Sequence, residues 1–104
     1  MSHNRLHIKV IRDNNKLAGF TAYYKKSRTV GQLLFVEVQQ EFRNKGLGDK
    51  LVKYALKELV KDGSKQVALI TRTDNFPAQR LYIRNGFKEA YQDGQGFVYF
   101  TYTT

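Results

Sequence analysis

The chain has no cysteine, few acidic residues and no long apolar run, and each scarcity closes a class of function. Without cysteine there is no disulfide framework, no thiol nucleophile and no cysteine-ligated metal. The two histidines, His3 and His7, lie near the N-terminus without the spacing of a metal site, so no metal is expected. No apolar stretch approaches the ~20 residues that cross a bilayer, so no membrane partner is expected. The opening "MSHNRLHIKV" lacks the apolar segment of a secretory signal, and the expectation is a cytoplasmic protein. A length of 104 residues supports one domain, residues 1–104, with a single core of moderate size.

Nine acidic residues stand against eighteen basic ones, a net charge of +9. Before Gly31 the imbalance is steeper: Arg5, Lys9, Arg12, Lys16, Lys25, Lys26 and Arg28 against Asp13 alone. Such an excess suits a nucleic acid, an acidic protein or an anionic small molecule as partner. It equally suits a solvated surface that keeps a small protein in solution, so charge alone does not choose.

The apolar pattern gives three strands, a helix, a strand, a helix and two strands. Leu6 to Ile11 and Leu17 to Lys25 read as strands joined by "RDNNK", whose Asp and Asn tolerate the left-handed backbone of a tight turn. Gln32 to Gln40 reads as a third strand, and its run Leu33, Leu34, Phe35, Val36 suggests burial on both faces of the sheet. From Leu47 the apolar residues Leu51, Val52, Ala55, Leu56, Leu59 and Val60 recur at three- and four-residue spacing, with Lys50, Lys53, Lys57 and Lys61 on the other face. Asp62-Gly63 ends this helix. Lys65 to Arg72 reads as a buried strand, and a second helix runs from a cap at Asp74 or Asn75 to Asn85-Gly86. Phe87 to Gln92 and Gly96 to Thr103 complete the chain as strands. The strand–helix–strand unit from Gln32 to Thr71 implies a parallel pair, and the flanking hairpins imply antiparallel edges. The class is α/β, in the α+β sense of a mixed sheet.

The segment "EFRNKGLGDKLV", Glu41 to Val52, joins the third strand to the first helix. A helix start leaves backbone N–H groups without partners and carries the positive end of the macrodipole. Gly46 and Gly48 let a ligand approach that backbone closely, and Arg43 and Lys45 add full charges. Together they form an anion site suited to a phosphate or pyrophosphate. The pattern is not a P-loop, because Asp49 follows Gly48 where Lys-Ser/Thr is needed. It is not the dinucleotide fingerprint, which needs a third glycine.

The segment closely resembles the cofactor-binding motif of the GNAT-type N-acetyltransferase superfamily, an Arg or Gln followed by x-x-G-x-G/A between a central strand and a helix. Here it reads Arg43, Asn44, Lys45, Gly46, Leu47, Gly48. The approach "VEVQQEFRNKGLG" is similar to the family's V-x-P-E-Y-R-G-K-G-I-G, with Gln40 in place of the usual proline. Downstream, Asn75, Ala78, Leu81, Tyr82, Gly86 and Phe87 match a second signature, N-x-x-A-x-x-L/F-Y-x-x-x-G-F. The likeness covers Gln32 to about Phe87.

The resemblance implies a mixed central sheet with two main helices, and a reaction that moves acetyl from acetyl-CoA directly to a primary amine of a small molecule or protein. Arg43 to Gly48 would hold the pyrophosphate of acetyl-CoA. The backbone of Val36, Glu37 and Val38 would pair with the pantetheine arm, as would Asn75. Tyr82, two helical turns from Asn75 on the same face, would sit by the sulfur and protonate the departing thiolate. Glu37 is the carboxylate on the strand adjoining the loop and the candidate base for the amine. The family's N-terminal helices have no counterpart in this chain's pattern. The acceptor wall would then come from "YYKKSRTVG", from a second subunit of a homodimer, or from an acceptor protein, acidic in keeping with the basic chain. Two alternatives stand beside this reading: a GNAT-like module that binds CoA without turnover, and a basic nucleic-acid-binding domain using Tyr23 and Tyr24 of the N-terminal hairpin.

Overall fold

A computed structural model describes residues 5–104; His3 lies outside them. The elements are β1 (His7–Asp13), β2 (Lys16–Lys25), β3 (Val30–Val38), a 3₁₀ turn (Gln40–Phe42), α1 (Leu47–Lys61), β4 (Gln66–Arg72), α2 (Phe76–Arg84), β5 (Lys88–Gln92) and β6 (Phe97–Thr103). The β1–β2 hairpin turns at Asn14 and Asn15, with φ of 52° and 67°, the left-handed pair that an asparagine turn favours. The strands form one sheet in the order β1-β2-β3-β4-β6-β5. β3 and β4 run parallel and the other neighbours antiparallel. The last strand thus sits inside the sheet and its hairpin partner β5 takes the edge. The architecture is the expected α/β class.

Both helices pack on one face of the sheet. Leu51, Val52, Ala55, Leu56 and Leu59 of α1 are buried, and Tyr82 of α2 joins a core with Leu33, Val67, Leu69, Phe87, Val98 and Phe100. Alternation along the strands sends the intervening side chains to the other face. No helix of the described residues covers that face. Ile8, Phe35, Ile70 and Tyr91 are between 46% and 59% exposed on it. Two expectations are corrected here. β3 is not buried on both faces: Leu33 is buried, but Leu34 is 38% and Phe35 58% exposed. β4 is buried on one face only, through Val67 and Leu69. A continuous apolar run is the pattern of a sheet covered on both sides, and here α1 and α2 cover one. Among the described residues no helix precedes Gln40.

Candidate active site

The site begins where two central strands part. β3 and β4 pair only at Val30–Gln66, Gly31–Val67 and Gln32–Ala68. A register shift opposite Ala22 and Tyr23 leaves Leu34 without a partner on β2. Beyond this bulge β3 keeps its ladder with β2 through Val38, but its other edge is unpaired, and β4 goes on with β6 alone. The wedge between them opens two adjoining cavities. One, of about 340 Å³, lies between β3 and α2 and is lined by Val36, Glu37, Val38, Arg43, Asn75 and Tyr82 among others. The second, of about 370 Å³, reaches the uncovered face past Leu34, Phe35, Ile70, Arg72 and Phe97, and shares Glu37, Asn75 and Tyr82 with the first. The unpaired edge of β3 offers backbone donors and acceptors to whatever enters.

The loop after β3 carries the chain to α1. Its turn places Asn44 at φ 65° and Gly46 at φ 80°, and Gly46 is the N-cap of α1. No side chain caps the helix, and the first intrahelical bond to Gly46 is made by Lys50 N–H. The amides of Leu47, Gly48 and Asp49 therefore have no intrahelical acceptor. A cavity of about 230 Å³ lies over this start, bounded by Arg43, Asn44, Gly46, Leu47, Gly48 and Pro77. The two glycines do different work. A Cβ on Gly46 would meet nothing within 4 Å, so it is the backbone angle and the open space that call for glycine. A Cβ on Gly48 would lie 3.3 Å from Leu81 Cδ2, so that glycine lets α1 rest on α2. An exposed set of helix amides, no competing cap and open space above Gly46 fit a phosphate-bearing ligand. Lys45 reaches over the Phe42 ring, 5.7 Å from its centroid, with its charge at the edge of this loop.

Arg43 bridges the loop and the wedge. Its Nε donates to the Val38 carbonyl at 2.9 Å, and its guanidinium stands 3.8 Å from Glu37. Both side chains are more than half exposed. Arg43 thus lies beside the end of β3, bordering both the wedge and the loop cavity. Asn75 is the N-cap of α2, its Oδ1 accepting from Ala78 N–H at 3.3 Å. This leaves its amide N–H₂ for the wedge that it lines.

Tyr82 presents its ring to the core and its edge to both cavities. The ring packs against Phe87 and Phe100, with centroids 5.8 and 6.4 Å away. Burial first, and then the Glu37 carboxylate, push its phenol up to about 12. The hydroxyl therefore stays protonated throughout the neutral range.

The structure gathers every expected residue, Val36, Glu37, Val38, Arg43 to Gly48, Asn75 and Tyr82, around one wedge and loop. It also corrects two expectations. The connection after Tyr24 leads away: Thr29 O accepts from Lys65 N–H at the opposite end of β3, so this segment does not wall the site. Tyr23 is 4% exposed and stacked on His7, so it offers no face to a nucleic-acid base. The sequence reading missed the contact of Arg84 and Asn85 with Asp49. Arg84 Nε and Nη2 each donate to Asp49 at 3.0 Å, and Asn85 Nδ2 donates to the same carboxylate at 2.8 Å. An acid in a helix's first turn is a visible signal, but its partners are 35 and 36 residues away. The Arg84 hydrogen bond holds the Asp49 carboxyl below the usual carboxylate range.

The model of the acetyltransferase (GNAT) family matches residues 1–87. A mycothiol acetyltransferase of Corynebacterium efficiens is 35% identical over 78 residues, 75% of this chain and 26% of the relative. The chain spans about a quarter of the length of the curated relatives it matches. Among solved structures, Ard1 of Thermoplasma volcanium superposes with a TM-score of 0.79 at 28% identity, over 88% of this chain and 66% of that one. The PaiA N-acetyltransferase of Thermoplasma acidophilum, in complex with coenzyme A, shares the fold with a TM-score of 0.86 at 23% identity, over 95% of this chain and 61% of that one.

Proposed function

The chain belongs to the acetyltransferase (GNAT) family, and on that premise we propose that it is an N-acetyltransferase moving acetyl from acetyl-CoA to a primary amine. The observation that carries the proposal is the continuity of the site. The loop cavity over the α1 amides shares Val38, Arg43, Pro77 and Leu81 with the wedge, and the wedge shares Tyr82 and Glu37 with the cavity on the open face. A long thioester with a pyrophosphate at one end and a reactive carbonyl at the other fits that path. Relatives and structural neighbours named as acetyltransferases support the reading.

The bound co-substrate supplies an activated acetyl group on sulfur. The residues of the chain bind and orient it. The free amides of Leu47, Gly48 and Asp49 and the side chains of Arg43 and Lys45 take the pyrophosphate. The open edge of β3 from Val36 to Val38 and the Asn75 amide hydrogen-bond the arm. In the transfer a carbon–nitrogen bond forms as the carbon–sulfur bond breaks, the nitrogen loses a proton and the sulfur gains one. Glu37, at the mouth of the wedge, accepts the proton from nitrogen. Tyr82 donates to sulfur. Its phenol, pushed up to about 12, lies well above an ordinary thiol, so full release of its proton is uphill. Tyr82 therefore acts as a hydrogen-bond donor while charge grows on sulfur. It gives up the proton only as it regains one from solvent.

The acceptor approaches from the uncovered face, where Phe35, Ile70 and Phe97 surround the opening with Arg72 and Glu37. A second subunit or an acceptor protein laid on that face would complete the wall. The test is direct. Acetyl-CoA at 100 times its dissociation constant should stabilise the fold by about 2.7 kcal/mol, read as a rise in Tm of several degrees. A panel of amines and peptides should then release free thiol. No thermal shift at millimolar acetyl-CoA would overturn the reading. Binding without thiol release for any acceptor would leave a CoA-binding module instead.

A further inference from the structure

The cavity that opens on the uncovered face carries one charge of each sign, on opposite sides of the wedge. Glu37 and Arg72 are the charged residues of its lining. Gln32 and Ala68 are the last pair that β3 and β4 make. Arg72 stands four positions beyond Ala68 and Glu37 five beyond Gln32, and Leu34 is the extra residue of the bulge, so the two are about level across the wedge. Alternation sends Phe35 and Glu37 of β3, and Ile70 and Arg72 of β4, to this one face, with Phe97 of β6 opposite Arg72 in the ladder. The result is an exposed apolar floor of Phe35, Ile70 and Phe97 with a carboxylate on one side and a guanidinium on the other.

Arg72 is held in place and left with free donors. Its carbonyl accepts from Asn75 N–H and from Gln79 Nε2, each at 3.1 Å, and its guanidinium lies over the Phe97 ring, 5.8 Å from the centroid. Its ion pair is a single contact of Nε with Asp74 at 3.4 Å, between exposed side chains, where such a pair is worth little. Among the described residues nothing bonds its two Nη groups, so the fork is open to a carboxylate. The path proposed for acetyl-CoA makes no use of Arg72, which lines neither the cavity between β3 and α2 nor the one over the start of α1. The same lining disfavours a polycation as acceptor. A polyamine needs several carboxylates, and here Glu37 stands alone, 3.8 Å from Arg43. A net charge of +9 repels such a molecule as well.

We propose that the acceptor is a free α-amino acid with an apolar side chain. Glu37 faces its ammonium, the Arg72 fork takes its carboxylate, and Phe35, Ile70 and Phe97 receive its side chain. The proposal rests on the reading of the chain as an acetyl-CoA enzyme; it names the substrate class of that site and the residue that selects it. Ammonium and carboxylate on one carbon match two opposite charges set across a cavity of about 370 Å³, and the side chain on that carbon meets the apolar floor. Acetyl-CoA and the ammonium form of the amino acid give the N-acetylamino acid, the CoA thiol and one proton, which Glu37 passes to solvent.

The test measures free thiol release at saturating acetyl-CoA, with the native chain and with Arg72→Gln. The acceptors are phenylalanine, leucine, phenylalaninamide, phenethylamine, spermidine and a short peptide with a free N-terminus. The native-to-variant ratio of kcat/KM is compared between acceptors, which cancels the differing basicities of their amines. For phenylalanine and leucine that ratio should be about tenfold larger than for phenylalaninamide and phenethylamine, as the loss of one charge-assisted contact dictates, with the change in acceptor KM. Equal ratios for the amino acids and the amide would overturn the proposal. A native chain that favours spermidine, phenethylamine or the peptide over both amino acids would overturn it as well. Either result leaves the acetyl-CoA reading standing. Failure of acetyl-CoA to shift the native Tm, or binding without thiol release for every acceptor, would remove the enzyme reading and this proposal with it. Melting curves of Arg72→Gln with and without acetyl-CoA verify that the variant is folded and binds the co-substrate.

Discussion

Arg84 closes on Asp49 with two parallel hydrogen bonds of 3.0 Å, fastening the last turn of α2 to the first turn of α1. Asn85 adds a third at 2.8 Å. Below them Leu81 occupies the space that Gly48 leaves open. Both halves of the site hang on this seam, because α1 begins with the free amides and α2 carries Asn75 and Tyr82. A forked guanidinium–carboxylate contact fixes direction as well as distance, which a lysine would not.

Breaking the seam should cost modest stability. Arg84 is 57% and Asp49 25% exposed in their side chains, so solvent screens the pair and about 0.5–1 kcal/mol is expected for Asp49→Asn. The pH dependence has a definite sign. A carboxyl whose pKa is lowered by folding stabilises the fold above its unfolded value, and the stabilisation is lost as pH falls through the folded value. Asp49 is shifted in that direction, chiefly by the Arg84 hydrogen bond. The difference in unfolding free energy between the native chain and Asp49→Asn should therefore be full at pH 7 and shrink below about pH 4. Urea denaturation at stepped pH measures it, and a difference that persists unchanged at pH 2 would contradict the assignment.

The two loop glycines should fail in different ways. Gly46→Val forces a β-branched residue to φ 80° and fills the space over the helix start, so acetyl-CoA binding should be lost while the circular dichroism of the fold remains. Gly48→Val drives side-chain atoms into Leu81, so it should lower Tm by several degrees through overpacking. Adding Leu81→Ala should recover part of that Tm. Gly48→Val with native stability would show that α1 does not rest on Leu81.

Tyr82→Phe keeps the ring among Phe87 and Phe100, so stability should change by less than about 1 kcal/mol. The maximal rate should fall about 10²-fold, with acetyl-CoA affinity retained. The loss should shrink with an acyl donor whose thiol has a lower pKa, because that leaving group needs less help. A native rate would make Tyr82 a packing residue.

Glu37→Gln separates base from structure. The Glu37–Arg43 contact at 3.8 Å is exposed on both sides and worth little, so Tm should hold within a degree or two. Acetyl-CoA affinity should stay the same or rise slightly, since a negative charge leaves the neighbourhood of the phosphates. The rate with an amine acceptor should drop by about 10- to 100-fold. An unchanged rate would assign proton removal to water.

The parts of this protein written in short stretches of sequence were legible there. Asn14-Asn15 takes the left-handed backbone, Gly46 can begin α1 from φ 80°, and the spacing from Leu51 to Leu59 gives α1 its buried face. Each is a preference of neighbouring residues, and the order of elements follows from them. The motif residues of the site were legible for the same reason, since the loop and α2 each hold their share within a dozen positions. Only tertiary structure decided that both helices cover one face and leave Phe35 and Ile70 in the open. A run of apolar residues reports how much surface a strand can bury, not how many layers arrive to bury it. The parting of β3 from β4 after Gln32, the entry of β6 between β4 and β5, and the grip of Arg84 on Asp49 likewise depend on contacts between segments tens of residues apart. Local propensity contains no term for such contacts, and they exist only once the chain has closed its sheet.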